Sequence, residues 1–328
     1  MAHFDLPLAE LREYRPQRVE PADLDAFWAR TLDEARTAAV PTVRRERADT
    51  GLVTVAVSDL TFSGFAGQPV RGWVLRPRGT NVPLPCVVEF IGYGGGRGWS
   101  HERLLWSAAG YVHLVMDTRG QGSAGSTAGA TDDPDAGGPA TPGFVTRGIG
   151  DPDAYYYRRL FTDAARAVDV ARGLDEVDPA RVAVSGRSQG GATAIAAAAL
   201  GTGVAAALVD VPFLCDIRRA VGLTDAQPYA ELVTYCRTHR DRAERVFRTL
   251  SYVDGVNLAS RAQVPALFSV ALMDEVCPPS TVFGAYNHWP GDKSISVWPY
   301  DGHEGGAAHQ EAEQLRWLSA RLHPAPER

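Results

Sequence analysis

Gly186-Arg187-Ser188-Gln189-Gly190 sets a serine between two glycines at the G-x-S-x-G spacing. That spacing suits a nucleophile on a sharp strand-to-helix turn, where only glycine lets the neighbouring backbone come close. A hydroxyl is a weak nucleophile and needs a base, and the base needs an orienting carboxylate. On strand-turn-helix sheets of this kind the chain order is Ser, then Asp/Glu, then His. Of eight histidines, His303 and His309 are the two read as following a late strand, the one expected at 294–298. His303 is flanked by Gly302 and by Gly305-Gly306, as suits a loop that presents a side chain to a cleft, whereas His309 falls inside a helical pattern. His303 is therefore the expected base.

Asp210 and Asp274 both end expected strands, and Asp301 and Glu304 flank the histidine. Sequence neighbours rarely turn back onto the same imidazole. Asp274 stands one strand before His303, the expected place for the orienting carboxylate, with Asp210 as the alternative. Acyl transfer also needs backbone N–H groups aimed at the developing oxyanion. Gln189, directly after the nucleophile, offers one, and the glycine-rich loop 91–98 offers the other. That loop has no Walker pattern, and His303-Glu304 is not H-E-x-x-H. The four cysteines are far apart, with no ligand spacing for zinc, so no metal or organic cofactor is expected.

These residues need elements to hold them. Leu24, Phe27, Trp28, Leu32 and Ala35 recur at helical spacing, and the first fifty residues read as helical. From residue 52 the period changes. Strands are expected at 53–62, 70–75, 87–91, 111–117, 181–185, 206–211, 265–271 and 294–298. Helices are expected near 100–109, 155–175 and 190–200, with a last one carrying Ala312, Leu315, Leu318 and Leu322. This alternation implies an α/β fold, a mostly parallel central sheet with helices on both faces. Residues 120–151, dense in Gly, Pro, Asp and Thr, read as a long ordered loop, and 216–262 as a helical insertion.

The chain has 328 residues, and 33 Lys+Arg against 39 Asp+Glu leave a formal net charge of −6. An acidic balance without a basic cluster argues against a nucleic-acid partner. The longest apolar stretches fall well short of the ~20 residues of a membrane helix. The N-terminus is broken by Asp5, Glu10, Arg12 and Glu13, so no signal peptide is expected. Scattered cysteines without C-x-x-C suit thiols in a reducing cytoplasm. A lipase would need a broad apolar lid, which the charged insertion does not supply. A peptidase of the prolyl oligopeptidase type would need room for a propeller. A non-specific short-chain carboxylesterase and an inactive scaffold are the remaining alternatives, the latter opposed by the intact Ser-Asp-His set.

Gly186-Arg187-Ser188-Gln189-Gly190-Gly191, Arg119-Gly120-Gln121 and His303-Glu304 together resemble carbohydrate esterase family 7, the acetyl xylan esterases and cephalosporin-C deacetylases of the α/β-hydrolase fold. The similarity extends to Gly92-Tyr93, to the run Tyr155 to Arg159, to Asp210-Val211-Pro212-Phe213 and to the run Asp274 to Pro279. It implies a triad of Ser188, Asp274 and His303, oxyanion donors on Tyr93 and Gln189, and Arg119 as a buried organiser. It also implies one α/β-hydrolase domain over 1–328, with an N-terminal extension in 1–50 and an insertion within 210–262. The implied assembly is a homohexamer, and the implied substrates are acetylated xylo-oligosaccharides or cephalosporin C-type acetates. Tyr93, Phe213 and Val276 are expected to close a pocket sized for acetyl.

Overall fold

Leu24, Phe27, Trp28, Leu32 and Ala35 are buried along one side of a helix, as their spacing requires. The computed structural model describes residues 3–47, 49–124 and 127–323. Its elements run α1 (Leu8–Glu13), α2 (Leu24–Thr37), β1 (Val43–Arg47), β2 (Val55–Ser63), β3 (Pro69–Pro77), β4 (Leu84–Phe90), α3 (Leu105–Ala108), β5 (Val112–Met116), α4 (Tyr156–Arg172), β6 (Val177–Arg187), α5 (Gln189–Leu200) and β7 (Val204–Asp210). Then come α6 (Ile217–Leu223), α7 (Tyr229–Thr238), α8 (Ala243–Ser251), α9 (Gly255–Ala259), β8 (Ala266–Ala271), α10 (Pro279–His288), β9 (Lys293–Trp298) and α11 (Ala307–Leu322).

One nine-stranded sheet has the order β1-β2-β3-β5-β4-β6-β7-β8-β9. From β5 through β9 every pairing is parallel, and the pairings joining β1, β2, β3 and β5 are antiparallel. The strands β4 and β7 are mostly buried, and β6 is buried from Val182 to Gly186, as expected of parallel strands covered on both faces. On one face Val87, Ala183 and Leu208 pack against Trp106 of α3 and Leu318 and Leu322 of α11. On the other, Val88, Val184 and Val209 meet α4 and α5 through Ala164, Val168 and Ala196. This is the expected architecture.

Two elements depart from expectation. Residues 43–47 form a strand, not helix, because antiparallel pairing with β2 determines their conformation. The helix α10 was not anticipated. It is buried nearly all round, so no polar stripe marks its period, and Pro278-Pro279 at its start reads as a loop. Four helices, α6 to α9, occupy the connection from β7 to β8. Among the described residues no helix is long and apolar enough to cross a membrane.

Candidate active site

The parallel strands all present their C-terminal ends on one rim, and loops there carry Tyr93, Ser188, Asp274 and His303, in line with the rule for open α/β sheets. Ser188 sits between β6 and α5 with φ 59° and ψ −119°, in the left-handed half of backbone space. A non-glycine residue is strained there, and such strain marks functional turns. The flanking glycines are a steric necessity. A Cβ on Gly186 would lie 2.2 Å from the Gly190 carbonyl oxygen, and one on Gly190 would lie 2.2 Å from that of Phe90. The turn is also pinned, since the Ser188 N–H donates to Asp210 O at 2.9 Å and the Ser188 carbonyl accepts from Phe213 N at 3.0 Å.

Asp274 follows β8 and is fully buried. One of its oxygens accepts the N–H groups of Val276 (2.8 Å) and Cys277 (3.0 Å), and the other faces His303 Nδ1 at 2.9 Å. A carboxylate held this way puts the proton of neutral His303 on Nδ1 and leaves Nε2 free as a base. Asp210, the alternative, is committed elsewhere. Its oxygens accept from Gln310 (3.0 Å) and Gln314 (2.6 Å) of α11, and burial lifts its carboxyl to about 6. Glu304 turns back to the Gly302 N–H at 3.0 Å, and His309 is an exposed residue of α11.

Cys277, read from the sequence as a scattered thiol without a site role, completes the neighbourhood. Ligand atoms of Cys277, Asp274 and His303 lie within 4.8 Å of one another, and the thiol is in hydrogen-bond reach of Ser188. Burial pushes the thiol well above its ordinary range, so it stands by as a neutral group. The only sequence signal for it was its place three residues after Asp274.

Gln189 is fully buried, and its side chain anchors the elbow instead of facing the cleft. Its Oε1 accepts from Tyr157 OH and Gln121 Nε2, both at 2.9 Å. The Gln121 amide oxygen in turn accepts the Gly94 N–H at 2.6 Å, and its Nε2 donates to Tyr156 OH at 2.9 Å. Arg119 is buried below this network. Its guanidinium closes on both oxygens of Asp163 (2.6 and 2.8 Å) and reaches Gln68 Oε1 at 2.5 Å. It organises the loops and does not face the cleft.

A cavity of about 770 Å³ is lined by Ser188, His303, Tyr93 and Val276, with Arg187 beside Ser188. Phe213 is not among its lining residues. The chain turns through Val211 (φ 34°) and Leu214 (φ 58°) and sends the ring inward, fully buried, to back Tyr93 and Tyr229 at centroid distances of 6.3 and 4.6 Å. Arg187 is exposed on the cavity wall, and its charge acts on Asp210 and Glu304.

Residues 1–321 match the family described as Acetyl xylan esterase (AXE1). The chain is 37% identical to the acetyl xylan esterase from Paenibacillus sp. R4, with a TM-score of 0.90 over 97% of this chain and 100% of that one. Against acetyl xylan esterase 1 from Thermoanaerobacterium sp. JW/SL YS485 the identity is 36% and the TM-score 0.86, covering 96% and 99%. The acetyl esterase Axe7A of Xylanibacter ruminicola is 26% identical over 94% of this chain and 69% of its own length. The chain therefore belongs to the acetyl xylan esterase family, and it is a carboxylic ester hydrolase of the α/β-hydrolase fold.

Proposed function

We propose that Ser188, Asp274 and His303 form the catalytic triad of a deacetylase acting on acetylated xylo-oligosaccharides. The 2.9 Å bond between His303 Nδ1 and Asp274, beside a strained serine lining the same cavity, carries the reading. His303 Nε2 takes the Ser188 proton as Oγ attacks the acetyl carbonyl. Asp274 holds the imidazole and stabilises the imidazolium. Backbone N–H groups of Tyr93 and Gln189 stabilise the oxyanion, and each such donor contributes about 3–4 kcal/mol to the transition state. The C–O bond to the sugar breaks as His303 returns the proton to the leaving hydroxyl. Water, deprotonated by the same imidazole, then releases acetate from Ser188.

Tyr93 and Val276 narrow one side of the cavity around the acyl group. Arg187, Glu304, Gln310 and Glu311 line another part with hydrogen-bonding groups, which suits an alcohol rich in hydroxyls. A cephalosporin C-type 3′-acetate presents the same small acyl group and is a second substrate of this reading. Cytoplasmic location is supported by four cysteines that are all free. A homohexamer is supported by family resemblance, and light scattering of the purified chain tests it.

Acetate release from acetylated xylo-oligosaccharides, with Ser188→Ala as control, tests the function. Release that the substitution abolishes is the expected result. Turnover of p-nitrophenyl acetate alone would retain the triad and remove the sugar. Inactivity on both would overturn the esterase assignment for this site.

A further inference from the structure

The loop that carries Tyr93 contains five glycines, Gly92, Gly94, Gly95, Gly96 and Gly98, two of which adopt positive φ (80° at Gly94 and 61° at Gly98). Such a chain has little intrinsic stiffness. A backbone N–H that must meet an oxyanion in one place needs the loop to be held from outside. Its far half is tied down by the Arg97 N–H on Asp117 and by the Gly96 and Gly98 N–H groups on the carbonyls of Thr127 and Ala128. Nearer the site, the Gly94 N–H is bound to Gln121, and a further restraint acts on Tyr93 itself.

The Tyr93 phenol lies where three remote segments meet. Its hydroxyl donates to the Glu231 carboxylate, whose oxygens lie 2.8 and 3.0 Å away. The same oxygen accepts the N–H of Phe144 at 2.9 Å and of Gly143 at 3.2 Å, with that of Val145 at 3.4 Å. One O–H donor and two lone pairs are thereby used up. The Glu231 carboxylate also takes hydrogen bonds from the backbone of Val145 and Gly143, so phenol and carboxylate share one set of N–H donors. Burial raises the phenol above its ordinary range and raises the Glu231 carboxyl as well. The phenol therefore stays neutral and donates. Edge contacts with Phe144 (5.5 Å) and Phe213 (6.3 Å) stop the ring from swinging. Glu231 lies in the first turn of α7, within the insertion between β7 and β8.

We propose that Glu231 is a positioning residue for the Tyr93 oxyanion donor, so that the helical insertion sets the rate of ester hydrolysis through one hydrogen bond. This rests on the reading above that the Tyr93 N–H stabilises the oxyanion. Glu231 touches neither substrate nor Ser188. Its effect is on where the Tyr93 backbone sits when charge develops.

The test is a double-mutant cycle on the full chain, with steady-state hydrolysis of p-nitrophenyl acetate. Glu231→Ala and Tyr93→Phe are made singly and together, and Ser188→Ala sets the baseline. Each single change should lower kcat about 10- to 100-fold, short of the roughly 10²–10³ that follows loss of a whole oxyanion donor, with KM within about two-fold. Because both changes break the same bond, the double variant should match the more damaged single one within about two-fold. A purely structural role predicts lowered thermal stability with kcat intact below the transition. Tyr93→Phe keeps the ring and its N–H, so it reads the bond even where Glu231→Ala fails to fold. Folded Tyr93→Phe with wild-type kcat overturns the proposal, as do multiplicative losses in the double variant or a loss confined to KM. Hydrolysis by the wild type that survives Ser188→Ala would instead sink the esterase reading of the site, a result distinct from Ser188-dependent hydrolysis indifferent to Glu231.

Discussion

Gln121 and Gln189 are joined amide to amide, Gln121 Nε2 donating to Gln189 Oε1 at 2.9 Å and Gln189 Nε2 facing Gln121 Oε1 at 3.3 Å. Gln189 directly follows Ser188, and Gln121 holds the Gly94 N–H in the loop after β4. The two segments that supply the proposed oxyanion donors are therefore a single hydrogen-bonded unit.

Replacing Gln121 by Leu removes that unit while roughly keeping volume. It leaves the buried Gly94 N–H without its acceptor, at about 1–3 kcal/mol, whereas Gln189 Nε2 keeps the Ile91 carbonyl and Tyr156 OH keeps that of Arg119. kcat on p-nitrophenyl acetate should fall at least ten-fold and the melting temperature should drop. A variant with wild-type kcat would show that the bonds to Asp117, Thr127 and Ala128 suffice to hold the loop.

Arg119 neutralises buried Asp163 and lies 3.4 Å from Asp133, which Arg159 also pairs at 2.7 Å. Arg119→Met strands a buried carboxylate, a change that costs about 3–5 kcal/mol. Denaturant unfolding should show a loss of that size. A loss below 1 kcal/mol would mean that Asp163 does not depend on the guanidinium.

Two glycine-to-alanine changes should behave in opposite ways. At Gly190 the new methyl would meet the Phe90 carbonyl oxygen at 2.2 Å, so soluble, active protein should not be recovered. At Gly79 the φ is +79° but nothing lies within 4 Å, and the cost should be only about 1–2 kcal/mol of backbone strain with activity unchanged. Active Gly190→Ala would contradict the close packing of the elbow.

Two potential nucleophiles stand by the same imidazole, and their ionisation separates them. The Cys277 thiol is buried and raised, so iodoacetamide at pH 8 should leave activity intact, whereas a fluorophosphonate should label Ser188 and abolish it. Rapid inactivation by iodoacetamide that Cys277→Ala prevents would reverse the roles.

Burial lifts the Asp210 carboxyl from 3.8 to about 6, so the folded chain binds its proton more tightly than the unfolded chain. The stability this group contributes is full at low pH and declines as pH rises from about 4 through about 6. Asp210→Asn lacks that decline. Its melting temperature relative to wild type should climb across this window and level off above it, whereas a constant offset would refute the shift.

The elbow was readable because its demand is local, with glycines at fixed positions around Ser188. Asp274 and His303 were readable because chain order and strand ends confine them. Glu231 was invisible, lying 138 residues from Tyr93 with nothing in its surroundings to mark it. Phe213 was placed after the correct strand, but two positive-φ residues turn its ring away from the cavity, which periodicity does not encode. The antiparallel end of the sheet was equally unreadable at β1, where the segment is dominated by arginine and owes its conformation to β2.

That charged strand has a consequence for the molecule in company. β1 is a sheet edge, and an edge offers free backbone groups to any strand that approaches. Three of its five residues are arginines, with Arg44 tied to Glu176 and Arg47 to Asp49. A second copy arriving edge to edge in the antiparallel register centred on Arg45 would set the two copies' Arg45 residues against each other. Sheet extension, the route to β-aggregation, is thereby disfavoured at high protein concentration.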